Sequence, residues 1–177
     1  MSMTKKEFLN FISNDKEDVL QQLLDLLEAM KIDYCVIGGL AVNAYVEPVV
    51  SLDLDLVVVA ASMGKLMKAA TNLFKVEKFP HSFNLSNPKS DLRIQLQTDP
   101  RYQAFIPNSS VKEVMGYSMK VAALEDVFQG KIWAYTDEQR RMSKRQKDLA
   151  DIFRFIEAYP HLKDMLPESI KDKLETD

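Results

Sequence analysis

The chain reads as a mixed α+β (α/β) fold, a small mixed β-sheet flanked by helices and followed by a C-terminal helical segment. Three observations predict it. Short apolar or alternating runs at Tyr34-Cys35-Val36-Ile37, residues 52–59 and residues 91–96 have the length and period of strands. A leucine stripe ahead of them has the period of a helix. The last third holds helix-length stretches and little strand-like alternation. No repeat or linker interrupts the 177 residues, so one domain is expected over 1–177, with a sheet region at about 32–122 and helices at about 123–177.

The elements follow in order. A short helix is expected from Lys5 to Ile12. A longer one covers 16–31, where Leu20, Leu23, Leu24 and Leu27 follow i, i+3, i+4, i+7 and Met30 extends the stripe. Asn14 or Asp15 is the expected cap. Residues 34–37 form a buried strand ending at Gly38-Gly39, and Leu40 to Tyr45 is helical, stopping before Pro48. In the strand at 52–59, Leu52, Leu54, Leu56 and Val58 share one face, and Ser51, Asp53 and Asp55 share the other. A helix is expected over 63–75 and a turn-rich stretch over 80–90, which holds Pro80, Asn84, Asn87 and Pro88. In the strand at 91–96, Leu92, Ile94 and Leu96 alternate with Asp91, Arg93 and Gln95. One or two short strands fall within 111–121. Helices are expected at 124–135 and 144–159, the second stopped by Pro160, with a small helix and a frayed tail over 161–177.

Composition narrows the function. Apolar residues make up 46%, as in a globular protein. A net charge of -3 and a pI near 5.5 argue against a long nucleic-acid track. The polar N-terminus suggests no signal peptide, and no apolar stretch is long enough for a membrane span. The single cysteine, Cys35, sits in an apolar run as a small core residue and suits a reducing, cytoplasmic setting. His81 and His161 stand alone, which disfavours a Ser-His-Asp triad or a His/Cys zinc site.

The chemistry concentrates at Gly38-Gly39 and Ser51-Leu52-Asp53-Leu54-Asp55. A glycine pair between strand and helix lets a polyanion approach the backbone, where N–H groups hold phosphates. Two carboxylates on alternate strand residues repel each other unless a cation neutralises them. Mg²⁺ (or Mn²⁺) prefers oxygen ligands and fits one or two carboxylates plus substrate phosphates. A third carboxylate on a neighbouring strand completes a two-metal site, and Asp91 is the candidate, as ligand and as acceptor of the attacking hydroxyl's proton. Ser51 reads as a partner for a phosphate oxygen or simply as the start of a strand. The basic run Arg140, Arg141, Lys144, Arg145, Lys147 reads as a phosphate contact or as a solvated helix start.

Gly38-Gly39, then Ser51-x-Asp53-x-Asp55 with Pro48 before it, resembles the DNA polymerase β-like nucleotidyltransferase superfamily. The later segment, Leu124-Glu125-Asp126, Lys131, Ala134 and Lys147-Asp148-Leu149-Ala150-Asp151-Ile152, resembles the bacterial minimal nucleotidyltransferases, among them toxins of AbiEii type from type IV toxin–antitoxin systems. The resemblance spans about residues 32–157. It implies a nucleotidyltransferase fold and an enzyme that transfers a nucleoside monophosphate from a nucleoside triphosphate such as ATP to a hydroxyl on a protein, an RNA end or a small molecule. It implies Mg²⁺ on Asp53, Asp55 and Asp91, and nucleotide contacts from Gly38, Gly39, Ser51, Lys131, Lys147 and Asp148, with Asp151 one helical turn beyond. An antitoxin protein is a further implied partner. Two positions depart from the pattern. Many relatives have arginine after the proline, where this chain has Val49, and Ser or Thr after the glycine pair, where it has Leu40. These departures motivate the alternative of a weak or inactive nucleotide-binding regulatory module of the same fold.

Overall fold

A computed structural model describes residues 2–174. The expected frayed tail extends past them, so residues 175–177 lie outside the described part.

The chain opens with α1 (Lys5–Ile12), started by a reciprocal Thr4/Glu7 capping box, and α2 (Val19–Ala29). The cap of α2 is Asp18, whose side chain accepts from the Gln21 amide, while Asp15 accepts from that of Val19. Leu20, Leu23, Leu24 and Leu27 are buried as their spacing predicts. Then follow β1 (Tyr34–Ile37), α3 (Gly38–Val42), β2 (Asp53–Val58), α4 (Met63–Ala70), β3 (Lys75–Phe79), β4 (Ser82–Asn87), β5 (Ser90–Gln97), a 3₁₀ turn at Pro100–Phe105, β6 (Ser110–Val114), β7 (Tyr117–Val121), α5 (Leu124–Thr136), α6 (Met142–Ala158), a 3₁₀ turn at Pro160–Met165 and α7 (Glu168–Leu174).

The strands form one mixed seven-stranded sheet in the order β3-β4-β5-β2-β1-β7-β6. Parallel pairs join β1 to β7 and β2 to β5, and the rest are antiparallel. Thus the mixed α/β class holds. The stretch at 80–90 differs from the sequence reading. It carries β4, and the preceding helix ends at Ala70 so that β3 can pair with it. β3 is the exposed edge of the sheet, and β4 inside it buries only Ser82 and Leu85, so their alternation against the core is faint.

The register builds the site. Leu54, Leu56 and Val58 on β2 and Leu92, Ile94 and Leu96 on β5 are buried on one face, and α2 packs on β5. On the other face Asp53 lies beside Arg93, Asp55 beside Gln95, and Ile37 of β1 opposite Asp55. α3 packs on β2 and on α5, and α5 packs along α6, so these helices stand over the polar face. Among the described residues, no helix is long and apolar enough to cross a membrane.

Candidate active site

A cleft opens between the polar face of β2 and β5 and the helices α5 and α6. Its floor is the turn from β1 into α3. Gly38 has φ +68°, and a Cβ there would lie 2.3 Å from Asp55 Oδ2. Both the backbone conformation and the carboxylate therefore require glycine. Gly39 faces Ser51, whose buried hydroxyl accepts from the Asp53 amide at 3.2 Å. Leu40 is 1% exposed inside α3, so burial alone accounts for its apolar side chain. Val49 stands in an exposed loop pinned at both its backbone N–H and C=O by the Asn43 amide.

The two carboxylates of β2 differ sharply. Burial tends to raise the Asp53 carboxyl. The hydrogen bonds and charges of Lys144 and Arg93 outweigh it and hold Asp53 below its ordinary value. Lys144 Nζ donates to Asp53 Oδ2 at 2.9 Å and Arg93 Nε to Oδ1 at 2.5 Å. Asp55 is pushed up, chiefly by burial. The charge of Lys131 opposes this, the charge of Asp53 adds to it, and Arg140 and Lys144 oppose it more weakly. An acidic pair with one member held ionised and the other disfavoured as an anion is a donor set that a divalent cation would complete.

Behind the carboxylates lies a second, buried network. Lys131 of α5, 6% exposed, donates to Asp148 Oδ1 at 2.9 Å, and its Nζ stands 2.7 Å from Asp151 Oδ2. Arg140 donates to Asp148 Oδ2 at 2.7 Å, and Arg154 to Asp151 Oδ1 at 2.8 Å. Burial alone would lower the Lys131 ammonium, but the two carboxylates reverse that, and it is held above its ordinary value.

Eight of the nine residues singled out from sequence line the cleft: Gly38, Gly39, Ser51, Asp53, Asp55, Lys131, Lys147 and Asp148. Asp91 does not. It is exposed at the start of β5, its amide bonded to the Ser13 carbonyl, two residues before the first rung shared with β2. Alternation gave its face correctly. It does not give the register, which puts Arg93 and Gln95 beside the acidic pair instead. Among the described residues, no group of three His, Cys, Asp or Glu is placed to hold one metal ion. Lys131, expected at the triphosphate, has its ammonium committed to two carboxylates. Asp151 belongs to that buried network and does not line the cleft.

The cleft also holds residues that sequence reasoning did not single out as site residues: Gln95, Gln97, Tyr102, Phe105, Asp126, Arg140 and Lys144. Arg140 and Lys144 were legible as part of the basic run. Asp126 was legible in the Leu124-Glu125-Asp126 motif without a role of its own, and the aromatic pair became site residues only through tertiary packing. Asp126 Oδ2 accepts from the Asn108 amide at 3.2 Å, and Tyr102 and Phe105 meet edge to face at 5.2 Å. Cys35 is fully buried and its thiol is pushed up to about 12, chiefly by burial, which excludes a thiolate nucleophile near neutral pH.

No family model matches the sequence, and no curated protein sequence matches it. Solved structures do. The lincomycin-bound lincosamide antibiotic adenylyltransferase LnuA is similar over 80% of this chain and 99% of its own, at 15% identity and a TM-score of 0.55. ANT(2'')-Ia in complex with adenylyl-2''-tobramycin is similar over 86% and 91%, at 15% identity and a TM-score of 0.58. An antigenic nucleotidyltransferase-like protein from Paracoccidioides brasiliensis is similar over 88% and 78%, at 20% identity and a TM-score of 0.51. At these identities the likeness shows the fold: the chain has the architecture of nucleotidyltransferases.

Proposed function

We propose that the protein is a nucleotidyltransferase that moves a nucleoside monophosphate from a nucleoside triphosphate to a hydroxyl of a small molecule. The observation that carries this reading is Asp53 and Asp55 on one strand face, directly over the Gly38 turn and inside a cleft rimmed by Arg140, Lys144 and Lys147. Fold neighbours that adenylylate lincosamide antibiotics or bind adenylyl-2''-tobramycin support the small-molecule acceptor. The apolar wall of Tyr102 and Phe105 is suited to a ring system.

The residues fit a divalent cation. Asp53 and Asp55 would hold Mg²⁺ together with the triphosphate oxygens, and the ion would neutralise charge developing on the transferred phosphoryl group. The Gly38-Gly39 turn and Ser51 would meet the phosphates at the backbone, with Lys147 also lining the cleft. The acceptor oxygen bonds to the α-phosphorus, the bond from that phosphorus to the bridging oxygen breaks, and pyrophosphate leaves. The acceptor proton needs a base. Of the carboxylates lining the cleft, Asp53 and Asp55 face the metal position and Asp148 is tied to Lys131 and Arg140. Asp126, which accepts from the neutral Asn108 amide, is the remaining acceptor and takes the role sequence reasoning gave to Asp91.

Incubation with α-labelled triphosphates, Mg²⁺ and an extract tests this. Label should appear on a small molecule with the wild type and fall by on the order of 10²–10³-fold with Asp53→Ala. Label on a protein or RNA would favour the toxin reading, with an antitoxin as partner. Equal labelling by both proteins would sink the assignment. For the inactive-module alternative the discriminator is melting. A triphosphate with Mg²⁺ at about 100 times its Kd should stabilise the fold by about 2.7 kcal/mol, so a shift without label in any product favours that alternative.

A further inference from the structure

Asp53 is the best-placed carboxylate for a metal, yet both its oxygens are engaged by cations from different elements, Arg93 on β5 and Lys144 in the first turn of α6. Neither cation is locked in place. The Arg93 side chain is 69% exposed and that of Lys144 40%, against 7% for Lys131 in the buried network. Lys144 also lines the cleft where phosphates would enter, and Arg93 sits on the rung beside Asp53. A bare divalent cation must displace both against charge repulsion. A cation arriving with a triphosphate brings anionic oxygens that compensate both.

We propose that Arg93 and Lys144 form a displaceable cationic cage on Asp53, which excludes the free metal and passes to the phosphates when metal and nucleoside triphosphate enter together. This rests on the nucleotidyl-transfer reading and adds an order to it. Arg93 and Lys144 act as positioning residues, serving as counter-ions to Asp53 in the empty site and to the substrate in the filled one.

The test is Mn²⁺ binding to the full chain, measured by electron paramagnetic resonance, with and without α,β-methylene ATP and its GTP, CTP and UTP analogues. The variants are Arg93→Gln, Lys144→Gln, both together, and Asp53→Asn, with melting curves to confirm folding. The double variant should bind Mn²⁺ alone on the order of tenfold more tightly, as expected when cations beside a carboxylate are removed, and the Mn²⁺–nucleotide pair on the order of tenfold more weakly. That crossing is not produced by a residue that merely supports the fold. Unchanged affinity for Mn²⁺ alone in the double variant, with Asp53→Asn still abolishing binding, overturns the cage and leaves the nucleotidyl-transfer reading standing. Tighter binding of Mn²⁺ alone without weaker nucleotide binding overturns the transfer to phosphate. Asp53-independent Mn²⁺ binding with every analogue overturns both the cage and the reading beneath it.

Discussion

The two charge networks of this fold are built from the same residue types and stand side by side, yet they serve opposite ends. Lys131, Asp148 and Asp151 lie between α5 and α6 with side chains at most 7% exposed, and Arg140 and Arg154 complete them. Asp53, Arg93 and Lys144 meet on the cleft side of the sheet with side chains partly open to solvent. A buried ion takes its full desolvation cost with it, so its partners are fixed and removing one leaves an uncompensated charge. An exposed ion pair gains little and gives up little when broken. The difference teaches that the closed network holds α5 and α6 over the sheet, and that the open one is free to exchange partners.

The most severe way to break the comparison is to remove the buried cation. Lys131→Met leaves the buried carboxylates of Asp148 and Asp151 with one arginine each. It should cost about 3–5 kcal/mol in chemical denaturation. A loss below about 1 kcal/mol would show that the network is hydrated and that Lys131 is available to substrate after all.

A smaller effect is expected at Gly38. Gly38→Ala forces a left-handed residue with a Cβ into the space of Asp55 Oδ2. The backbone strain should cost about 1–3 kcal/mol, while the proposed nucleotidyl transfer falls far more because Asp55 must move. Parallel measurement of denaturation and initial rate checks this. Loss of stability with full activity would remove the turn from the site.

The same contrast explains what the sequence could and could not reveal. Gly38, Asp53 and Asp55 were readable because a glycine turn and a two-residue alternation are local patterns, and local geometry decides which face each takes. Leu20 to Leu27 were readable for the same reason. Asp91 was misplaced because strand register depends on which rungs align across two distant segments. Lys131, Asp148 and Asp151 were visible in the sequence, but that they meet in one buried network is decided by the packing of α5 on α6. Tyr102 and Phe105 reach the cleft from the 3₁₀ turn after β5, where no periodicity marks them, and Asp126 stood in a quoted motif but only packing brings it to the cleft.

Asp55 offers a test of sign. Its folded-state pKa lies above that of the unfolded chain. The stability it contributes is therefore present below the unfolded value and is lost as pH rises through the folded one. Above its raised folded pKa the metal-free fold carries a disfavoured anion, and there Asp55→Asn should stabilise it by about 0.5–2 kcal/mol while abolishing the proposed transfer. That gain should shrink as pH falls through the raised folded pKa, because the carboxyl then protonates in the wild type. A gain that grows toward acid pH would contradict the raised direction.

The smallest expected effect falls on the open network and sharpens the comparison most. Lys144→Gln removes one of the two cations on Asp53, and Arg93 keeps the other oxygen engaged. Its side chain is 40% exposed, so water replaces the lost partner and stability should change by no more than about 0.5 kcal/mol. Raised salt screens exposed charges and leaves buried ones nearly untouched. The difference between Lys144→Gln and wild type should therefore vanish by about 1 M NaCl, while that of Lys131→Met persists. Denaturation curves at low and high salt decide it. A salt-insensitive loss above about 1 kcal/mol at Lys144 would mean that this network too is part of the scaffold, and that the cations around Asp53 are not free to leave it.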